Sequence, residues 1–184
     1  MNIFSKLGDV ESLHLLHRKY PTPESISITL LPHYIRALQC LGGAEEIHVL
    51  ARLANTFWGL YRAEILAAFE SITERTGRIE VGEEVVHALQ YLYDAGDEPE
   101  KIKVIGLCNV CMHQLLLSIL LCGIESENRN VRKAAIRALG KFGGATAISA
   151  LRRAFQNEQD ESLLEEYADW LFRESQNDPS FPSS

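Results

Sequence analysis

A chain of 184 residues with 46% hydrophobic content has enough apolar material for one core or one short repeat array, which excludes wholesale disorder. Its net charge of −7 and pI near 5.4 argue against a nucleic-acid partner, because neutralising phosphates needs an excess of Lys and Arg on one face.

Apolar spacing predicts helices at about 9–20, 23–41, 44–54, 57–75, 81–95, 98–107, 109–123, 128–142, 145–156 and 161–173. Before the first, Met1-Asn2-Ile3-Phe4-Ser5-Lys6 holds neither a long apolar run nor a cleavage pattern, so no signal peptide is expected. Thr22-Pro23-Glu24 offers a cap and a first-turn proline for the second helix. Ile26-Ser27-Ile28-Thr29-Leu30 alternates like a strand but is assigned to that helix, and Pro32 is expected to kink it. Trp58-Gly59 reads as a turn, as do Asp94-Ala95-Gly96-Asp97 and Glu125-Ser126-Glu127-Asn128.

Val104 to Ile124 runs 21 residues without a Lys, Arg, Asp or Glu, long enough to span a membrane. Its Gly106, Asn109, His113, Gln114 and Ser118 would be costly in lipid, so a short helix, a turn and a buried helix from about Asn109 are expected instead. Further on, Ser162 with Glu165 forms a capping-box candidate, and Asp160 is a second cap option. Residues 1–173 read as a single repeat domain and 174–184, with two prolines and several Ser, as a loose tail. Cys40, Cys108, Cys111 and Cys122 all fall in apolar helical stretches and are expected to be buried free thiols in a reducing, cytoplasmic setting.

The chain repeats itself. Residues 35–52, IRALQCLGGAEEIHVLAR, and 136–153, IRALGKFGGATAISALRR, share ten identities in eighteen ungapped positions at an offset of 101. In both, an Ala/Leu-faced helix stops at Gly-Gly and a second apolar pattern begins at once, which predicts a helical hairpin with a very short turn. Asn130-Val131-Arg132-Lys133-Ala134-Ala135-Ile136-Arg137-Ala138-Leu139-Gly140, followed by Gly143-Gly144-Ala145 and Ile148-x-x-Leu151, resembles the HEAT-like repeat of phycobilisome lyases. The resemblance is strong over 128–156, good over 30–55 and weak between, and three repeats of about 34 residues would span the offset. It implies an all-α, right-handed superhelical solenoid of HEAT-like hairpins whose second helices line a concave face.

Aligning those second helices on an apolar pair three residues apart places His14, His48, His87, His113 and Ser149 at one position. Arg18, Arg52, Tyr91, Leu117 and Arg153 follow one turn later. With Arg152 beside Arg153, this row could receive a carboxylate, a phosphate or an acidic helix. The competing register matches His87-Ala88-Leu89-Gln90-Tyr91-Leu92 to Arg36-Ala37-Leu38-Gln39-Cys40-Leu41, which makes 81–95 a first helix and breaks the row. Steps of 34, 39 and 26 residues between the histidines are uneven.

Other patterns carry less. Cys108-x-x-Cys111 with His113 lacks the four close ligands of a structural zinc site, and Met112 interrupts a haem-attachment pattern, so no metal or cofactor is expected. No His-Glu dipeptide occurs, unlike in the HEAT-like metalloenzymes that hydroxylate a modified lysine. The cluster Arg132, Lys133, Arg137, Lys141, Arg152 and Arg153 reads as a solvated face, with docking of an acidic partner as the alternative. DNA glycosylases of similar architecture present a basic concave face; the net charge and the lack of an evident carboxylate beside an aromatic cleft argue against that chemistry. Trp58, Trp170, Phe57, Tyr61 and Tyr167 are either binding anchors or end-cap packing.

The sequence therefore predicts a non-catalytic scaffold or adaptor that binds an acidic or amphipathic protein partner on its concave face, with no nucleic acid and no membrane. A phycobilin lyase subunit, or a related factor acting on a bilin-carrying protein, is the alternative, and a homo-oligomer is the third.

Overall fold

The structure is a computed structural model that describes residues 10–22, 25–57 and 59–177. Ten α-helices occur among these residues: α1 (Val10–Lys19), α2 (Leu31–Leu41), α3 (Glu46–Thr56), α4 (Arg62–Thr76), α5 (Glu83–Ala95), α6 (Glu98–Cys108), α7 (Leu117–Ile124), α8 (Arg129–Phe142), α9 (Gly144–Asn157) and α10 (Glu161–Asn177). They stack in two layers. In the first, α4 packs on α2, α6 on α4, α8 on α6 and α10 on α8. In the second, α5 packs on α3 and α9 on α7, with a short 3₁₀ turn at Gln114–Leu116 continuing the layer beside α5. Each helix uses one apolar stripe to cover its neighbours, so a single core runs the length of the array from Leu13 to Tyr167. The fold is the expected all-α solenoid.

The duplicated hairpins are α2–α3 and α8–α9. Ile35, Ala37, Leu38, Ile47 and Leu50 are buried in one, and Ile136, Ala138, Leu139, Ile148 and Leu151 in the other. The Gly-Gly turns differ, however. Gly143 and Gly144 take left-handed φ of 69° and 81°. Gly42 has φ −65° and is needed for space instead, since a Cβ there would lie 2.5 Å from the Leu38 carbonyl oxygen.

Four expected boundaries move. Residues 25–30 form bends and turns rather than helix, and α2 starts at Leu31 with Pro32 in its first turn, where a missing N–H costs nothing and no kink is needed. Of the Thr22-Pro23-Glu24 cap, Pro23 and Glu24 lie outside the described residues. Helix α4 starts at Arg62 rather than 57, because Gly59 at φ 71° breaks the chain direction; Trp58 lies outside the described residues. The buried helix expected from Asn109 starts only at Leu117. Before it, Cys111-Met112 pairs in parallel with Ile79-Glu80, Ile79 opposite Cys111, and Ile79 N–H donates to the Val110 carbonyl at 2.8 Å. That two-residue pairing sinks Ile79 and Cys111 into the core and pulls 109–113 out of helix. No described helix is long and apolar enough to cross a membrane. Finally, α10 continues to Asn177, four residues past its expected end, and 178–184 lie outside the described residues.

The caps follow the chemistry of short polar side chains. Asp97 and Glu100 form a reciprocal capping box on α6. Asn128 accepts from Asn130 and Val131 N–H to start α8. At α10 the cap is Asp160, which accepts from Ser162 N–H at 3.0 Å and Leu163 N–H at 3.3 Å, and not Ser162.

Candidate binding surface

Helix α5 packs on α3, which places it in the second layer and settles the register of 81–95. His48 and His87 therefore stand on neighbouring second-layer helices. His48 Nδ1 is 2.5 Å from Glu84 of α5, three residues and just under one helical turn before the exposed His87. Tyr91 is half-buried against the core rather than presented to solvent. The row breaks at the next rung, because His113 precedes the 3₁₀ turn and its Nδ1 accepts from Leu115 N–H at 3.2 Å. A ring nitrogen spent as a local cap is not a rung of a ladder. Arg152 and Arg153 of α9 are exposed; Arg153 reaches Glu125 at 3.8 Å with both side chains 72% exposed, a contact of little energetic weight.

Two concavities flank this layer. The larger, about 460 Å³, lies between α7, α9 and α10, with Glu125 and Arg153 at its rim and Ala150, Ala154, Arg132 and Tyr167 among its lining. Burial pushes the Tyr167 phenol up to about 12. The smaller, about 140 Å³, lies between α1, α2 and α3 and is lined by His17, Tyr20, Thr22, Tyr34, Val49 and Arg52. Here the structure gathers what spacing alone did not. Arg52 and the exposed His14 act electrostatically on His17, whereas Arg18 is simply exposed on α1. His17 Nδ1 stands 4.0 Å from Glu46 Oε1, and its ring lies 6.2 Å from that of Tyr34. Burial holds the imidazole below its ordinary value, against the pull of Glu46 and with His14 and Arg52 pushing the same way. His17 is missing from the sequence row, although it lies four residues after buried Leu13 and next to buried Leu16, on the inward face.

The basic cluster divides: Lys141, Arg152 and Arg153 are exposed, whereas Arg132, Lys133 and Arg137 are ion-paired. Arg132 donates Nε–H and Nη2–H to the two oxygens of Glu158 at 2.9 and 3.1 Å, and Nη1–H to the Ser126 and Glu127 carbonyls. Arg137 holds both oxygens of Glu166, at 2.7 and 2.9 Å, with Lys133 at 3.7 Å from the same group. Arg129 meets Asp160 at 2.7 Å and donates to the Ser162 hydroxyl. A basic stripe on α8 thus zips to acids on α10 and the turn before it. Tyr167 is buried and Trp170 packs over Gly140, so these aromatics serve end-cap packing; Phe57 and Tyr61 pack partly buried against the core.

The cysteines divide. Cys108 and Cys111 are buried free thiols, and burial pushes both up, Cys111 to about 12, so neither is a thiolate at neutral pH. Cys40 and Cys122 are exposed, contrary to expectation, because each sits on the outward side of an otherwise buried helix. Among the described residues no group of three or more His, Cys, Asp or Glu is placed to hold a metal ion.

Two layers of short antiparallel helices with buried Ala/Leu faces define the class as an all-α repeat solenoid. Residues 85–169, from α5 into α10, match the family model for HEAT repeats. The match takes in 85–127, where the sequence resemblance is weak, and stops short of the α2–α3 hairpin, where it is good. Comparison with curated proteins and with solved structures gave no match.

Proposed function

We propose that the chain is a non-catalytic scaffold that binds an acidic or amphipathic segment of a partner protein along its second-layer helices, on the concave side of the array. HEAT repeats commonly mediate protein–protein interaction, and one observation gives this reading its direction. The described cations of the first-layer helix α8 between Arg129 and Arg137 are spent on carboxylates of the C-terminal end. Those of the second layer are not. Arg52 and Arg152 form no ion pair among the described residues, and Arg153 makes one loose solvated contact. Exposed, uncommitted guanidinium groups steer and orient an acidic partner without first breaking an internal pair.

The test is cross-linking of the tagged protein to its partner in native lysate, with Arg152→Glu and Arg153→Glu introduced together. Capture of one defined protein, weakened at least about tenfold (~1.4 kcal/mol) by the reversal, is expected. Unchanged capture removes this face from consideration. A second reading, a phycobilin lyase subunit or related factor, draws support from the repeat's resemblance and from the cleft of about 460 Å³, a size that suits small ligands. Co-expression with a bilin and a biliprotein subunit tests it by absorbance, and absence of both bilin transfer and bilin binding removes it.

A further inference from the structure

We propose that the cavity between α1, α2 and α3 is an anchor pocket for one acidic side chain of the partner polypeptide, and that it takes up a proton as it closes on the carboxylate. The inference rests on the second-layer reading above and names what that surface recognises at its N-terminal end.

Size comes first. A cavity of about 140 Å³ is several times the ~30 Å³ share of one water and below the ~300 Å³ at which drug-sized pockets begin. It suits one side chain. The chemistry of the walls comes next. Arg52 supplies an exposed guanidinium with no carboxylate at ion-pair distance among the described residues. Tyr34 is buried and its phenol is pushed up to about 12 by burial, so it stays a neutral hydroxyl donor. His17 Nε2 is buried and has no hydrogen-bond partner, an unusual state for a ring nitrogen. Its other nitrogen faces Glu46, whose Oε2 is already engaged by Gly43 N–H at 2.6 Å.

This arrangement is one donor short of a carboxylate clamp, and a proton supplies it. The charged and titratable groups facing His17 are His14 on its own helix, Tyr34 on α2, and Glu46 and Arg52 on α3. In the empty pocket, burial first, and then the influence of His14 and Arg52, holds the imidazole below its ordinary value. The neutral imidazole carries one N–H and one lone pair on its two ring nitrogens. An entering carboxylate adds the negative charge that offsets Arg52. His17 then takes one proton from solvent on its free ring nitrogen, and the imidazolium is flanked by Glu46 and the ligand. No covalent bond changes.

The proton linkage has a sign. Binding raises the His17 value from its lowered position, so affinity for an acid rises as pH falls between the bound and free values, by at most about tenfold per pH unit. An uncharged isostere gains nothing from acidification.

The probe is N-acetyl-glutamate N-methylamide, with the glutamine analogue as its isostere, titrated into the full ¹⁵N-labelled chain at about pH 7.5 and about pH 5.5, either side of an ordinary imidazole. Shifts confined to residues around 17–22, 34 and 49–52, several-fold stronger at the lower pH, absent with the amide and absent in Arg52→Gln, are expected. The His17 imidazole should titrate higher when the acid is present. Equal response to acid and amide, or an acid response that does not strengthen on acidification, overturns the pocket. Because Arg52 is exposed, Arg52→Gln keeps the fold, and unaltered spectra elsewhere verify this. The Arg152/Arg153 reversal touches none of these residues. Loss of partner capture there with no response here leaves the surface standing and removes only the anchor.

Discussion

Replacing Arg132 with Met should cost about 3 kcal/mol, and the cost should depend on pH. The Arg132 side chain is 20% exposed and that of Glu158 only 7%, so both charges are largely withdrawn from water. Burial alone pushes Glu158 up, but the Arg132 hydrogen bonds and the Asp160 and Gln159 N–H groups outweigh it and hold the carboxyl below its ordinary 4.5. Removing the guanidinium leaves a buried carboxylate with two backbone donors and no counter-charge, and frees the Ser126 and Glu127 carbonyls that Arg132 ties across the α7–α8 turn. Breaking such a pair costs about 3–5 kcal/mol when fully buried, and the residual exposure puts this one at the lower end. For a chain of this size that is a fall of about 6–12 °C in melting temperature. The contribution of Glu158 is present above about pH 4.5 and is lost as pH falls through its lowered folded value. The penalty of Arg132→Met should therefore shrink to about half near pH 4. Adding Glu158→Met should recover at least half of it at neutral pH, because no charge is then stranded. Urea unfolding of the four members of this cycle at both pH values decides the matter. A single-variant penalty below about 1 kcal/mol, or a double variant worse than the sum of the singles, would refute the reasoning.

Glu166→Gln removes the charge and one of the two acceptor oxygens that hold Arg137 and Lys133, and faster hydrogen exchange confined to α8 and α10 is expected. Gly140→Ala gains about 1 kcal/mol of helix propensity, but its Cβ would stand 2.2 Å from the Trp170 ring. Overpacking of about 1–3 kcal/mol should win, with a blue-to-red shift in Trp fluorescence as the indole is displaced. Asp97→Ala removes the capping box of α6 and should cost about 1 kcal/mol in thermal unfolding. Acidification should act in two windows: below 6.5, as the unfolded chain protonates His17 ahead of the folded one, and below about 4.5, as the α8–α10 carboxylates are neutralised. Melting curves of His17→Gln should lack the first window and keep the second.

What was legible in the sequence was whatever is local. Periodicity placed all ten helices, and the Ile-Arg-Ala-Leu…Gly-Gly-Ala duplication located both hairpins, because those signals repeat within a turn or two. Non-local events escaped. Nothing near Asn109 announces that 111–112 will pair with 79–80, some thirty residues away, and so end a helix that hydropathy favours. The α8 cations looked like a free surface because Glu158 and Glu166 lie 26 and 29 residues from the arginines that hold them. The histidine row is continuous only from His48 to His87 on neighbouring helices, because His113 lies in the connection before α7. Counting from the first of each apolar pair fixes a residue's number but not its face. Leu13, Leu16 and His17 share the inward stripe of α1, whereas His14 is turned about 100° away from Leu13.

The two ends of the described array are packed differently, and that difference bears on binding. At the C-terminal end, α10 covers α8 and α9 largely by directed charge: Asp160, Glu158 and Glu166 meet Arg129, Arg132 and Arg137, with Tyr167 and Trp170 filling between. These pairs consume the cations of that face and leave it little to offer an acidic partner. At the N-terminal end of the described residues, α1 covers α2 by the apolar face Leu13–Leu16, and the polar His17, drawn inward, meets Glu46 at the limit of ion-pair range while Arg52 has no ion pair among the described residues. Charge is satisfied internally at one end and held in reserve at the other. An acidic segment lying along the second layer would then be gripped at Arg52 and read at Arg153, whose ion-pair partner among the described residues, Glu125, is as exposed as itself. Substituting Glu125→Gln should strengthen that grip modestly, because it removes the internal competitor without touching the core, whereas Glu158→Gln should weaken the C-terminal cap and leave affinity for the segment unchanged.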